Sequence, residues 1–345
     1  MSVVTARPAG PGATGTSTGV RSAEERDLSF GGFRYTCRVV RQDDPATAPL
    51  VLLGGSAQDR RSWVRHERWL TPLCTVVTVD LPGYGTADFL PARYGIDFLA
   101  AAVRHMLTEL GMAEVNLVGA CFGGAVGLRF AQHHPGTVRR MVLAGMTTVE
   151  PRDHYGDSVP RWSRMLDEGR VDDLARELAA WFTAPPGTAE VRKQAAMARF
   201  LYRQFVAQSP RELAMWLEHN VRLVNHEWYR PEPLPPLPVL VLTGEHDILT
   251  TPRMGREVAA RLPGARFTTV READHLVHLE RMEEFTEVIA RFCTDRPVDG
   301  LPWCTPLESW PTDGRTADGR MADGRTADGG RPVGAPRSAR DGAGE

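Results

Sequence analysis

The sequence predicts an α/β fold with a mostly parallel central sheet flanked by helices and a helical lid inserted late in the sheet. Three observations lead there. Strand-like and helix-like patterns alternate along most of the chain, the signature of parallel strands joined by crossover helices. The apolar run "VNLVGA" meets the helix-compatible stretch after "CFGG" with one residue in the turn between them. The alternation then breaks over residues 147–237, which carry helical periodicity without a strand and are too long for an ordinary connection.

Residues 1–25 are rich in Gly, Ser, Thr and Pro and are expected to be a disordered extension. The core, residues 26–146 and 238–293, opens with the strands "FRYTCRVV" and "APLVLLGG", followed by the buried strand and turn "CTVVTVDLPGYG". "IDFLAAAVRHMLTELG" reads as an amphipathic helix stopped by Gly111, and "VNLVGA" as the strand before the turn. The helix after that turn leads into the strand "RRMVLAGM" and then the lid. Prolines in "YRPEPLPPLP" forbid helix and supply a stiff return to the sheet. The strand "VLVLTGEHD", the helix "PRMGREVAARLPG", the strand "ARFTTV" and the helix "HLERMEEFTEVIARF" complete the core. Residues 294–345 form a polar tail with a repeated R-(T/M)-A-D-G unit, expected to be largely disordered, although Trp303 and Trp310 could fold back onto the domain.

A chain of 345 residues with 42% hydrophobic side chains can bury one large core. The net charge of −2, with no cluster of Lys and Arg, gives no electrostatic reason to expect nucleic acid. Five widely spaced cysteines, Cys37, Cys74, Cys121, Cys293 and Cys304, form neither C-x-x-C pairs nor metal-ligand clusters, so no metal or other cofactor is expected. They point to a reducing, cytoplasmic setting. No signal-type apolar core begins the chain, and no run approaches the ~18 apolar residues of a membrane span. Small-molecule chemistry is what remains.

That chemistry centres on "VGACFGG". In the G-x-S-x-G nucleophile elbow, a strained strand-to-helix turn exposes a nucleophilic side chain above the sheet. Here the position is Cys121, flanked by Gly119, Gly123 and Gly124. A lone cysteine is usually an inert small hydrophobe, but this context argues for a nucleophile. The order of elbow nucleophile, then Asp247 after a late strand, then His275 after the last strand resembles the α/β-hydrolase superfamily from about Leu28 to Phe292. The resemblance implies an α/β-hydrolase fold and a role for each residue. His275 takes and returns the thiol proton, and Asp247 orients the imidazole and stabilises its charged form. Glu150 or Asp153 could replace Asp247 as the acid, because superfamily members can carry it after the preceding strand. The helix N-terminus and the imidazole together would stabilise the Cys121 thiolate.

The loop "LLGGSAQDRRSW" resembles the superfamily's HG-type loop, with Gly54 where histidine is common. It implies an oxyanion hole built from the backbone N–H of Ser56 or Ala57 with that of Phe122. Gln58 is either a supplementary amide donor or a surface residue. His278, one helical turn beyond His275, is expected to pack or face solvent. The lid's Met and aromatic residues, among them Trp162, Trp181, Phe200, Phe205 and Trp216, are mostly lid core and suit an apolar acyl substrate.

A serine acyl-enzyme is an oxoester that water removes readily. A cysteine acyl-enzyme is a thioester, which favours carbon, amine or thiol nucleophiles and accepts acyl groups from other thioesters by near-neutral exchange. "VGACFGG" is similar to the G-x-C-x-G-G box of polyhydroxyalkanoate synthases, while "DLPGYGTAD" and "GEHDILTTP" look more like a small hydrolase or thioesterase. With "GGSAQDRRSW" and "GACFGG", the chain resembles most the cysteine-dependent Dieckmann cyclases of tetramic-acid antibiotic biosynthesis. That resemblance implies a β-ketoacyl-aminoacyl chain delivered on the phosphopantetheinyl arm of an acyl or peptidyl carrier protein, moved to Cys121, and released by ring closure. A thioesterase or ester hydrolase is the alternative, and a non-catalytic binding protein a more remote one.

Overall fold

The computed structural model describes residues 23–149 and 155–311. Among these, a nine-stranded sheet runs in the order β1-β2-β4-β3-β5-β6-β7-β8-β9. The hairpin of β1 (Ala23–Phe30) and β2 (Phe33–Val40) turns through Gly31 and Gly32, both at positive φ. Strand β1 takes in Ala23 to Glu25, three residues that composition places in the extension.

Six strands are mutually parallel: β3 (Leu50–Leu53), β4 (Val76–Asp80), β5 (Val115–Ala120), β6 (Val138–Ala144), β7 (Val239–Gly244) and β8 (Arg266–Val270). Every residue of β3, β4, β5 and β7 is buried, as sheets covered on both faces require. The covering helices are α1 (Val64–Leu70), α2 (Ile96–Glu109) and α3 (Phe122–His133) early in the chain. The helices α8 (Pro252–Ala260), α9 (Val277–Glu280) and α10 (Met282–Cys293) follow β7. The expected single helix after β8 is in fact α9 and α10, broken at Arg281, whose φ of −125° and ψ of 51° leave the helical region. The Arg281 guanidinium is buried and bonds the Arg271 carbonyl and Glu272, which fixes the break.

Between β6 and β7 the described residues form four helices: α4 (Tyr155–Asp167), α5 (Val171–Phe182), α6 (Gln194–Val206) and α7 (Pro210–Asn225). Aromatic contacts hold them together, with Trp162 against Tyr155, Trp181 and Trp216, and Phe205 against Trp216. The residues after Thr294 correct the predicted tail. Val298, Leu301 and Cys304 are buried against the sheet, and β9 (Glu308–Ser309) pairs antiparallel with β8. The Trp310 N–H donates to the Ala265 carbonyl, so this tryptophan does fold back. No described helix is long and apolar enough to cross a membrane.

Candidate functional site

Strand β5 delivers Cys121 to the N-terminal end of α3 with φ 50° and ψ −117°, a conformation that costs a non-glycine residue on the order of 1–3 kcal/mol. Surrounding bonds hold it there. The Cys121 N–H donates to Ala144 at 2.7 Å, and the Gly124 N–H donates to the Cys121 carbonyl at 2.9 Å. Close approach of α3 to the sheet completes the turn. A Cβ at Gly119 would lie 2.5 Å from the Gly123 carbonyl oxygen, and one at Gly123 would lie 2.4 Å from that of Leu53. These contacts are with backbone, which cannot move aside.

His275, on the loop after β8, and Asp247, on the loop after β7, are both buried. His275 Nδ1 lies 3.0 Å from Asp247 Oδ2. Burial opposes a charge on His275, but the Asp247 carboxylate and the Cys121 sulfur overcome it, holding the imidazole well above its usual range. Burial likewise works against the Asp247 charge and is outweighed by His275 and the hydroxyls of Thr243 and Thr250, so this carboxyl sits below its usual range. Cys121 and His275 line one small cleft of about 40 Å³ with Gly55, Ser56 and Phe182. The three residues expected to act together are therefore brought together. Glu150 and Asp153 lie outside the described residues.

The loop after β3 runs against the elbow, and a Cβ at Gly55 would stand 3.0 Å from Cys121 Cβ. Ser56 lines the cleft with Cys121, whereas Ala57, at φ 61°, lines the lid cavities instead. Gln58 is half-buried at the Cys121 cleft, and one of its two amide protons stays available to a ligand. Its Oε1 accepts the Gly55 N–H and its Nε2 lies 2.7 Å from His278 Nε2, so the amide ties this loop to the segment after β8. A histidine at 54 would collide with it, since a Cβ there meets Gln58 Cβ at 2.8 Å. His278 packs rather than facing solvent, and burial with the nearby His66 and His275 pushes it down to about 3. It is a neutral acceptor for the Gln58 amide.

Two carboxylates escaped sequence reasoning. Asp274, fully buried, accepts the backbone N–H of His275 at 2.8 Å, and Glu280 accepts the backbone N–H of Asp274 at 2.6 Å. Burial pushes Glu280 up to about 7. The acidic residues in "READHLVHLE" were the available signal, but nothing in the pattern says they turn inward.

A strand-to-helix elbow carrying Cys121, with a histidine and an acid on loops at the carboxyl ends of parallel strands, agrees with the fold family that sequence comparison finds. The model of the alpha/beta hydrolase fold family matches residues 48–281. The chain belongs to this family. Within the family it is 25% identical, over 78% of its length and 94% of the relative's, to 2-hydroxymuconate semialdehyde hydrolase from Pseudomonas sp. (strain CF600). It is 26% identical to a poly(3-hydroxyalkanoate) depolymerase from Ectopseudomonas oleovorans, over 73% of this chain and 87% of that one. Among alpha/beta hydrolases of known structure, it resembles the enol-lactonase from Burkholderia xenovorans LB400, with a TM-score of 0.66 and 25% identity, covering 78% of this chain and all of that one. The chain is thus an enzyme of the alpha/beta hydrolase class.

Proposed function

We propose that this enzyme transfers acyl groups through a thioester on Cys121, with His275 as proton carrier and Asp247 as the group that orients and charges it. The observation that carries this reading is a thiol at the elbow position, beside a histidine backed by a buried carboxylate. The Cys121 thiol gives its proton to His275 and attacks the acyl carbonyl. Charge developing on the carbonyl oxygen falls to the backbone N–H of Phe122 and that of Ser56 or Ala57. The tetrahedral adduct expels the leaving thiol or alcohol, which takes the proton from His275.

Two modes of release are open. The thiol favours a carbon nucleophile. In a β-ketoacyl-aminoacyl chain His275 removes a proton from the carbon between ketone and amide, that carbon attacks the thioester, and Cys121 leaves as the ring closes to a tetramic acid. This is Dieckmann-type chain release, with the substrate arriving on a carrier protein's phosphopantetheine thiol and no cofactor needed. The relatives' names favour the second mode, in which water attacks and the enzyme is a thioesterase or ester hydrolase. The ratio of cyclic product to free acid from a β-ketoacyl-aminoacyl thioester, corrected for uncatalysed cyclisation, decides between them. The cyclase reading expects mainly ring product from wild type and a larger share of linear acid from Cys121→Ser, whose oxoester a carbon nucleophile attacks more slowly. Free acid alone from wild type would establish the hydrolase.

A further inference from the structure

Helix α7 carries three buried side-chain nitrogens that no described residue uses, Trp216 Nε1, His219 Nε2 and Arg222 Nη1, and the first two residues line one cavity. Trp216 and His219 lie three residues apart on one face of α7, and both line a cavity of about 160 Å³. They are 5% and 1% exposed, yet neither Trp216 Nε1 nor His219 Nε2 has a hydrogen-bond partner among the described residues. A buried N–H is rarely left without a partner in native proteins, so these two, facing one cavity, need a water or a ligand there.

The indole N–H can only donate. For His219 the tautomer follows from its neighbours. The Tyr84 hydroxyl lies 2.6 Å from His219 Nδ1. The phenolic proton has no other acceptor among the described residues, so it goes to Nδ1 and the imidazole proton sits on Nε2. Burial and the Arg222 charge hold His219 well below the usual histidine range, which keeps the ring neutral.

This cavity adjoins the reaction centre. The His219 ring stands edge-on to Phe122, the residue after Cys121, with centroids 4.8 Å apart. Gln58 lines this cavity, the Cys121 cleft and an apolar lid cavity of about 130 Å³ containing Phe200 and Phe205. The cavity lining includes Asp59 and Glu212 and no Arg or Lys, with the buried Arg222 guanidinium close to Gly83, so an uncharged acceptor fits it without burying a further charge.

We infer that Trp216 and His219 form a two-donor subsite for a carbonyl oxygen of the acyl chain, distinct from the carbonyl that Cys121 attacks. The chemical class of ligand rests on the acyl-transfer reading. The subsite selects acyl chains that carry a second, neutral carbonyl, whether keto or amide, over plain fatty chains.

Calorimetry on the full chain carrying Cys121→Ala tests this without requiring chemistry. Three unreactive probes are compared: N-(3-oxodecanoyl)glycinamide, N-decanoylglycinamide without the keto oxygen, and 6-oxotridecanamide without the inner amide. The first is expected to bind about tenfold more tightly than one of the other two, as for a paired carbonyl against a missing one. Adding Trp216→Phe or His219→Leu removes several-fold of that preference and leaves the affinity for the probe lacking the bound carbonyl unchanged, which also shows that the lid has folded. His219→Gln, which keeps an N–H, retains part of it. Equal affinity for all three probes, a preference unchanged in both variants, equal weakening of all probes, or no binding at all overturns the subsite. Binding with the expected preference but no acyl adduct on wild type would leave the subsite standing and remove the nucleophile assignment alone.

Discussion

Asp247 Oδ2 lies 3.0 Å from Nδ1 of His275 while the same carboxylate accepts four other hydrogen bonds, from the hydroxyls of Thr243 and Thr250 and the backbone N–H groups of Leu249 and Thr250. So many donors fix both the charge and the position of the acid. Asp247→Asn puts an amide where His275 needs an acceptor. Its turnover should fall by about 10²- to 10⁴-fold, the upper end being what amidation of a triad acid costs elsewhere. Steady-state turnover of an acyl thioester measures it. Wild-type turnover in the variant would mean that the acid is another residue, with Glu150 and Asp153 next to be tested.

The same pair should shape stability against pH. His275 is held above 6.5 in the folded chain, so its contribution is complete below 6.5 and lost as pH rises through the raised value. Asp247 is held below 3.8, so its share is present above 3.8 and lost as pH falls through the lowered value. The difference in urea midpoint between wild type and His275→Gln should therefore be largest between 3.8 and 6.5. A difference that grows steadily above neutrality would contradict the charged pair.

Glu280 carries the opposite sign. Burial first, then the Asp274 charge, raises it from 4.5 to about 7, so its ionisation weakens the fold as pH climbs across that interval. The cost of ionising it is on the order of 3 kcal/mol. Glu280→Gln should gain stability relative to wild type by a comparable amount between pH 5 and pH 8, read from urea denaturation at each pH. A pH-independent difference would show that the group does not titrate there.

The strands, the elbow and the order of Cys121, Asp247 and His275 were legible because each rests on local pattern. Fully buried apolar runs mark parallel strands, and glycines on both sides of Cys121 mark a turn whose backbone contacts tolerate no side chain. What escaped depends on partners that a segment's own pattern does not show. Gln58 looked like a loop amide until His278, 220 positions later, took its Nε2. Strand β1, "AEERDLSF", has four charged residues in eight and exists because β2 pairs along it. In "LPWCTPLESW" the two tryptophans marked a stretch able to fold back, but the pattern did not show that Glu308–Ser309 would pair with the β8 edge.

Gly123→Ala should be costly for a geometric reason, because its Cβ would meet the Leu53 and Gly54 carbonyl oxygens at 2.4 and 2.6 Å. A loss of about 3 kcal/mol, at the upper end for overpacking, is expected together with impaired activity. Gly136→Ala meets no neighbour within 4 Å and should show only the strain of its φ of +84°. Thermal unfolding of both variants makes the comparison, and equal shifts would contradict the elbow packing.

Truncation separates the two parts of the C-terminal region. Removing residues 312–345 should leave turnover intact, since every residue of the proposed site lies before them. Removing residues 294–345 uncovers the core around Val298, Leu301 and Cys304 and should destabilise the domain by several kcal/mol. Turnover and melting temperature of the two purified truncations distinguish these outcomes.

The central claim is that the acyl group passes through the sulfur of Cys121. Intact-protein mass spectrometry after mixing enzyme with an acyl thioester, followed by peptide mapping, tests it most directly. One acyl adduct is expected, located on Cys121, labile to hydroxylamine and absent from Cys121→Ala even though that variant stays folded. An adduct of the same stoichiometry that persists on Cys121→Ala, or full turnover by that variant, would contradict it.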